Sequence, residues 1–245
     1  MIRVAAVGDL HFGTDSAGTL RPHLERLEEN ADVFLIAGDL TRHGDPAEAQ
    51  ILADELRGLP VPAVAVLGNH DYHLDREEEV AGVMREAGVH VLEGEGEVIE
   101  VNGSRLGIAG SKGFGGGFAG ASGSDFGEPE MKIFIQATKV SSERLEKALT
   151  GLNADVRVAL LHYAPVKETL VGEPPEIYPF LGSYLLAEAI DRAGADLVLH
   201  GHAHRGVEKG STPGGIHVRN VAVPVINRTY NVYVLGDDGE AGQTT

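Results

Sequence analysis

A chain of 245 residues, 42% of them hydrophobic, can bury a sizeable core, and single α/β domains of this size are common. Its 37 acidic residues against 20 basic ones leave a formal charge of −17, a field that repels nucleic-acid backbones and anionic membrane surfaces. With no cysteine, disulfides, thiolate zinc sites and cysteine nucleophiles are excluded together.

The first strand is expected over 2–7. The residues around it lack the basic leader, long apolar core and cleavage site of a signal peptide. No run approaches the roughly 18 apolar residues of a membrane span, so a soluble, cytoplasmic protein is the expectation. Further strands are expected over 33–37, 62–67, 97–101, 104–109, 156–161, 196–200, 215–222 and 230–235. Between them lie helices with capping signals. Asp45-Pro46-Ala47-Glu48 opens one that Gly58 closes, Asp75 and Glu78 open a second that ends at Gly88, a third begins near Ser141, and a fourth runs from Ser183 to Gly194. Asn102-Gly103 is a hairpin turn signal between 97–101 and 104–109.

The early βαβα alternation argues for an α/β chain with a substantial parallel sheet, and the closer-spaced later strands for a mixed or second sheet. Without an internal repeat or linker, 1–245 reads as one domain. Two long loops stand out, the Gly-rich 111–128 and the Pro-rich 163–182, and loops this long in a compact domain are usually functional or disordered. The last ten residues read as a frayed tail.

The residues just past the strand ends are chemically uniform. After 2–7 comes Gly8-Asp9-Leu10-His11, after 33–37 Gly38-Asp39, and after 62–67 Gly68-Asn69-His70-Asp71. After 156–161 comes His162, and after 196–200 Gly201-His202-Ala203-His204. Ligands of open α/β sheets bind beyond the carboxyl ends of the strands, so these residues should converge on one rim. Asp9 and His11 are two apart, as are His202 and His204, and in extended backbone that spacing aims both side chains at one face. Carboxylates with imidazoles suit manganese, iron, zinc and similar divalent ions. Asp9, His11, Asp39, Asn69, His162, His202 and His204 are too many for one tetrahedral ion. Shared between two ions with one bridging carboxylate, they give each ion four protein ligands. A pair of ions ~3.5–4 Å apart is a standard device for displacement at phosphorus.

"GDLH", "GDLT", "GNHD", a lone histidine after a later strand and "GHAH", in that order, closely resemble the calcineurin-like metallophosphoesterase superfamily. The likeness runs from Asp9 to His204. It implies a four-layer α/β/β/α sandwich of two mixed sheets flanked by helices. It also implies two divalent transition-metal ions, with manganese favoured and iron, zinc, nickel or cobalt compatible. By this resemblance Asp9, His11 and His204 hold the first ion, Asn69, His162 and His202 the second, and Asp39 bridges. His70 is then the catalytic residue, facing the phosphoryl group without ligating metal. Gly68 would let the backbone turn, and Asp71 either orients the imidazole or caps the turn. One departure stands out: protein phosphatases of this superfamily carry Asp-Arg-Gly shortly after the bridging Asp, and here Arg42 occupies the position of that acid. Phosphoprotein substrates are disfavoured, and support for His70 must come from elsewhere.

Other residues have blander readings. His200 sits inside a strand, as a partner of the ligands or a hydrogen-bonded core histidine. His23, His43, His73, His90 and His217 match no motif and read as surface residues. Gly115-Gly116-Gly117-Phe118-Ala119-Gly120 fits G-x-G-x-x-G literally, but the residues after it open no helix, so a dinucleotide is rejected. The 111–128 loop is either a flexible flap over the metal rim, with Phe114, Phe118 and Phe126 as contacts for a base or apolar group, or a disordered surface loop, and Tyr163, Tyr178 and Phe180 either line the pocket or pack their loop down. The expected function is a phosphodiesterase that hydrolyses a small, nucleotide-like or other modest-sized phosphate ester through a metal-bridging hydroxide. A phosphomonoesterase or nuclease on the same fold, and a non-catalytic binding scaffold, are the alternatives.

Overall fold

In the computed structural model, residues 1–236 and the backbone of 242–243 are described. Two six-stranded mixed sheets lie face to face with helices outside each. The first sheet contains β1 (Ile2–Val7), β2 (Val33–Ala37), β3 (Ala63–Val66) and β4 (Val89–Val91), and later β13 (Asn231–Leu235) and β14 (Gly242–Gln243), in the order β14-β13-β1-β2-β3-β4. The second contains β5 (Glu95–Val101), β6 (Ser104–Ser111), β9 (Val156–Leu161), β10 (Leu197–His200), β11 (Lys209–Ser211) and β12 (His217–Asn220), in the order β11-β12-β10-β9-β6-β5. A two-stranded ribbon, β7 (Gly117–Phe118) with β8 (Ala121–Ser122), lies between β6 and β9 in sequence. β1 to β4 are mutually parallel, with β4 at one edge, as are β6, β9, β10 and β12, and antiparallel pairings flank the other edge of the first sheet and both edges of the second.

Strand alternation builds the layers. Side chains on a strand face opposite sides in turn, so Val4, Ala6, Val33, Leu35, Val64 and Val66 meet Leu106, Ile108, Val158, Leu160, Leu197 and Leu199 between the sheets. The residues in between, such as Ala5, Val7, Phe34 and Ile36, pack outward on α1 (Arg21–Leu24), α2 (Leu27–Asn30), α3 (Pro46–Leu56) and α4 (Glu77–Glu86). On the other side Ala159, Leu161 and Val198 pack on α5 (Pro129–Gly151) and α7 (Tyr184–Ala193). The short α6 (Tyr178–Leu181) and α8 (Val223–Ile226) close loops. β2 is buried along its whole length, as its uninterrupted apolar run VFLIA requires of a strand covered on both faces.

Local signals account for most ends. Asp45 Oδ1 accepts from Ala47 N at 2.9 Å with Pro46 in the first turn, and Ser183 Oγ accepts from Leu185 N at 3.3 Å. Asn102 and Gly103 both take positive φ, 51° and 80°, as a two-residue hairpin turn demands. Three expectations fail. Asp75 does not cap α4: Arg76 holds that position and makes no side-chain cap. α5 starts at Pro129, well before Ser141, because its buried stripe runs through Thr138 and Ser142, which hide the apolar period. Those hydroxyls find acceptors, Thr138 on the Gly115 carbonyl and Ser142 on Thr138 O. Of the tail read as frayed, Gly242–Gln243 pairs with β13, and 237–241 and 244–245 lie outside the described residues.

Candidate metal centre

All seven expected ligands sit just past the carboxyl ends of parallel strands, Asp9, His11, Asp39 and Asn69 from β1, β2 and β3 of one sheet and His162, His202 and His204 from β9 and β10 of the other. The sheets are stapled there. Gly8 N donates to Val221 O at 2.8 Å, and His162 Nδ1–H donates to Ala37 O at 2.9 Å. Ligand-capable atoms of Asp9, His11, Asp39 and His204 lie within 4.8 Å of one another, and so do those of Asp39, His162 and His202. Asp39 belongs to both groups. Asn69 completes the second, its Oδ1 lying 2.9 Å from His162 Nε2.

The backbone is strained to achieve this. Among the described residues seven non-glycine positions have positive φ, and four of them are Asp9, His11, Asp39 and His202. Left-handed backbone costs an L-residue roughly 1–2 kcal/mol, and such strain concentrates at functional sites. The convergence of Asp9 with His11 therefore comes from a left-handed loop, not from the extended alternation expected of their spacing. Glycines supply room beside it: a Cβ on Gly38 would stand 2.5 Å from His162 Nδ1, one on Gly201 2.3 Å from Asp9 Oδ2, and one on Gly68 2.1 Å from Asp39 Oδ1. Gly68 is thus needed for close approach rather than for the turn.

The protonation states test whether cations fit. Burial lowers the pKa of His162 well below the ordinary histidine value, that of His11 to about 4 and that of His202 to about 3. His162 gives its single proton, on Nδ1, to Ala37 O, so Nε2 presents a lone pair. Facing it are only acceptors, Asn69 Oδ1 and Asp39 Oδ1, the latter at 3.3 Å. His202 gives its Nε2 proton to Phe180 O at 3.2 Å, which leaves Nδ1 as its lone pair. In the first group His11 Nε2 lies 3.5 Å from His204 Nε2 and 3.7 Å from Asp39 Oδ2, and His204 Nε2 lies 2.9 Å from Asp9 Oδ1. Asp9 is 4% and Asp39 1% exposed. Burial, with the Asp39 charge adding to it, raises Asp9 to about 6. Converging lone pairs around two buried carboxylates are unfavourable by themselves and fit divalent N/O-ligated cations.

His70 stands over this rim without joining either group. Its ring meets that of His11 edge-on with centroids 4.5 Å apart, and its backbone N donates to Asp39 Oδ1 at 2.8 Å. The support absent from the sequence is a backbone atom: His70 Nδ1–H donates to Arg42 O at 2.8 Å. Asp71 does not touch the imidazole. Wholly buried, it accepts from Leu40 N, Thr41 N, Thr41 Oγ1 and Gly68 N at 3.1, 2.8, 2.6 and 2.8 Å, which ties the Asp39 loop to the Asn69-His70 loop. His200 is a buried core histidine, bonded to Gly201 O and Thr169 Oγ1. His23, His43, His73, His90 and His217 are exposed, with His43 bonded to Glu48.

Around the rim, Tyr163 stacks on His202 with ring centroids 4.4 Å apart, and Phe180, 60% exposed, holds His202 through its carbonyl. Phe114, Phe134 and Phe180 form a chain of ring contacts. Tyr178 packs its loop down by donating to Leu170 O at 3.0 Å, Phe118 is buried, and Phe126 is 85% exposed. The Gly-rich segment opens β7 and β8 rather than the helix a dinucleotide motif requires. The carbonyls of Arg42 and Phe180 carry no sequence signal.

A carboxylate–imidazole pair of clusters at the strand ends of this sandwich supports a metal-dependent hydrolase. The chain belongs to the calcineurin-like phosphoesterase family, whose profile matches residues 2–206. A curated relative from Synechococcus, named "Probable cyclic nucleotide phosphodiesterase", is 32% identical over 91 residues, which cover 33% of this chain and 35% of that one. The match thus spans about a third of that relative. The fold is similar to that of phosphopantetheinyl hydrolase from Mycobacterium tuberculosis, with a TM-score of 0.66, 18% identity and coverage of 91% of this chain and 90% of that one. It is also similar to that of GAP50, the anchor in the inner membrane complex of Plasmodium, with a TM-score of 0.58, 13% identity and coverage of 91% and 72%. Among the described residues no helix is long and apolar enough to cross a membrane.

Proposed function

We propose that the protein is a dinuclear-metal-dependent phosphodiesterase acting on a small, nucleotide-like or other modest-sized phosphate ester. Asp9, His11, Asp39 and His204 would hold one cation, Asp39, Asn69, His162 and His202 the other, and manganese is the preferred ion. The observation that carries the reading is the convergence of proton-free His162 Nε2, Asn69 Oδ1 and the shared Asp39 carboxylate. When bound, the two cations would withdraw charge from the phosphoryl oxygens and lower the pKa of a water molecule.

The chain's own groups do the rest. With Nδ1–H committed to Arg42 O, His70 exchanges its proton at Nε2, and the carbonyl steadies the doubly protonated ring. His70 then gives that proton to the departing ester oxygen. Asp71 fixes where the ring stands by bonding the loops on either side of it. The 111–128 and 163–182 loops roof the site in this reading. The name of the Synechococcus relative favours a diester, Arg42 in place of a supporting acid speaks against phosphoproteins, and the charge of −17 against long nucleic acids. An anchor protein shares the fold, so fold alone does not carry the activity; the retained ligand set and His70 do.

The test is a panel of phosphomonoesters, cyclic nucleotides and bis(p-nitrophenyl) phosphate with manganese, nickel, zinc and magnesium, run on the wild type and His70→Ala. Diesters should lead, with manganese best. His70→Ala should lose on the order of 10²–10⁴ in kcat while keeping two metal ions per chain. Loss of metal with activity would remove the proton-transfer role, and monoester preference would remove the diester assignment.

A further inference from the structure

Lys112, just past the end of β6, is a lysine that neither metal binding nor the proton transfer at His70 uses. Its carbonyl accepts from His162 N and Tyr163 N at 3.2 and 3.0 Å, so its backbone flanks the second cluster. Its ammonium is held over three rings, with Nζ 4.6 Å from the centroid of Tyr72, 5.1 Å from that of Phe114 and 5.5 Å from that of Tyr163. Tyr72 lies two residues after His70, and Tyr163 is the ring stacked on His202. Two of the three rings, Tyr72 and Tyr163, therefore stand on loops that also deliver metal-binding side chains, and Phe114 comes from the segment after β6 that carries Lys112 itself.

A lysine kept only for structure is usually closed by a carboxylate. The nearest candidate, Glu93, spends its oxygens otherwise: Oε2 accepts from Lys112 N at 3.2 Å and Oε1 from Ser111 Oγ at 3.5 Å. Among the described residues no carboxylate makes an ion pair with Nζ. Burial draws its pKa below the ordinary lysine value, against the fields of Glu93, Glu77 and Asp39, which favour its charged form. Aromatic faces hold an ammonium without neutralising it. The result is a half-buried cation with hydrogen-bond donors to spare at the edge of the centre, in a chain of charge −17.

We propose that Lys112 anchors the substrate, its ammonium receiving a phosphoryl oxyanion at the His162/His202 end of the centre. This anchor rests on the phosphoesterase reading of the same site. It makes the site selective for esters whose phosphoryl group reaches the Tyr72–Phe114–Tyr163 cradle, and it acts on binding more than on the proton transfer assigned to His70.

Inorganic phosphate and bis(p-nitrophenyl) phosphate test it on the manganese-loaded full chain, with Lys112→Met and Lys112→Arg beside the wild type. Calorimetry gives the phosphate Kd, kinetics give KM and kcat, and metal content and Tm are recorded for each. Lys112→Met should weaken phosphate about 30-fold, the loss of one charge-assisted hydrogen bond. KM should rise by a similar factor, kcat should fall less, two metal ions should stay bound, and Lys112→Arg should recover most of the affinity. Unchanged Kd and KM in an active, metal-loaded Lys112→Met overturn the anchor and leave the phosphoesterase reading standing. A fall in Tm with Kd and KM unchanged does the same and makes Lys112 structural. If the wild type takes up no metal and cleaves no ester, yet binds phosphate in a Lys112-dependent way, the phosphoesterase reading falls alone. If Lys112→Met does not fold, Lys112→Gln, which keeps a polar tip but removes the charge, decides: weakened phosphate binding with two metal ions still bound supports the anchor, and an unchanged Kd overturns it.

Discussion

The two halves of the centre share Asp39 but differ in how the protein holds them. In the first, the His204 side chain is 40% exposed and that of His11 23%, and their ring nitrogens face each other across open rim. In the second, His162 is wholly buried, its proton fixed on a carbonyl of the opposite sheet, and His202 is clamped between Phe180 O and the Tyr163 ring. One half is thus a mouth and the other a socket. The difference teaches that a pair of sites that is nearly symmetric in ligand types can be asymmetric in access. The more solvent-exposed half is the one beneath His70.

Removing the shared residue should have the largest effect. Asp39→Ala takes a ligand from both halves at once and leaves His70 N without its acceptor. Metal content should fall below one ion per chain and hydrolysis by on the order of 10³-fold or more. Asp39→Asn, which keeps the shape, should show the same direction. If elemental analysis finds either variant still holding a full ion in the socket, Asp39 is not a shared ligand and the two halves are independent.

Chelation sharpens the same contrast. An ion in the mouth can be stripped through exposed His11 and His204, whereas one in the socket requires the loops around His162 and Phe180 to open. If that opening costs about 2.7 kcal/mol, the second ion should leave about a hundredfold more slowly. Metal loss under excess chelator, tracked by quenched sampling, should therefore be biphasic with one ion in each phase. A single phase for both ions would mean that burial of the socket does not gate exchange.

Much of the centre is legible in the sequence because the fold reuses one device. Each parallel strand ends in a turn, and a turn carrying Asp, Asn or His five times over has a chemical reason that turn geometry alone does not supply. The same alternation makes β1, β2, β9 and β10 readable. The features that escape belong to other physics. The left-handed backbone at Asp9, His11, Asp39 and His202 arises because tertiary contacts override residue preference. The carbonyls of Arg42 and Phe180 are atoms every residue owns, so no side chain announces them. Asp71 does cap its own turn on Gly68 N, one of the two roles expected of it, but its bonds to Leu40 and Thr41, about thirty positions away, carry no local signal. β4 escapes because three residues make too short a run, and the start of α5 because its buried face includes Thr138 and Ser142.

The smallest effect is on how stability depends on pH. In metal-free protein the socket and the strand beneath it hold His162, His200 and His202 neutral, burial having pushed His200 to about 4 and His202 to about 3. An unfolded chain protonates these rings below about 6.5, so their contribution to stability is fully present above that pH and is lost as pH falls toward the folded values. The mouth is divided: His11, lowered to about 4 chiefly by burial, loses its contribution on acidification as the socket rings do. His204, raised by its hydrogen bond to Asp9, contributes stability below 6.5 that is lost as pH rises through its folded value. Asp9 and Asp71, each raised to about 6 chiefly by burial, likewise add stability as pH falls through 6. His11, His162, His200 and His202 outnumber the raised carboxylates Asp9 and Asp71 down to pH 5, so stability falls on acidification, and His200 alone accounts for about 2 kcal/mol by pH 5 at about 1.36 kcal/mol per pH unit. The metal-free wild type should therefore lose roughly 4–8 °C of Tm from pH 7 to 5, and His200→Asn, which removes one of the four rings without touching a ligand, should lose less over the same interval. A Tm that stays flat or rises on acidification would show that the raised groups, His204, Asp9 and Asp71, outweigh the buried histidines.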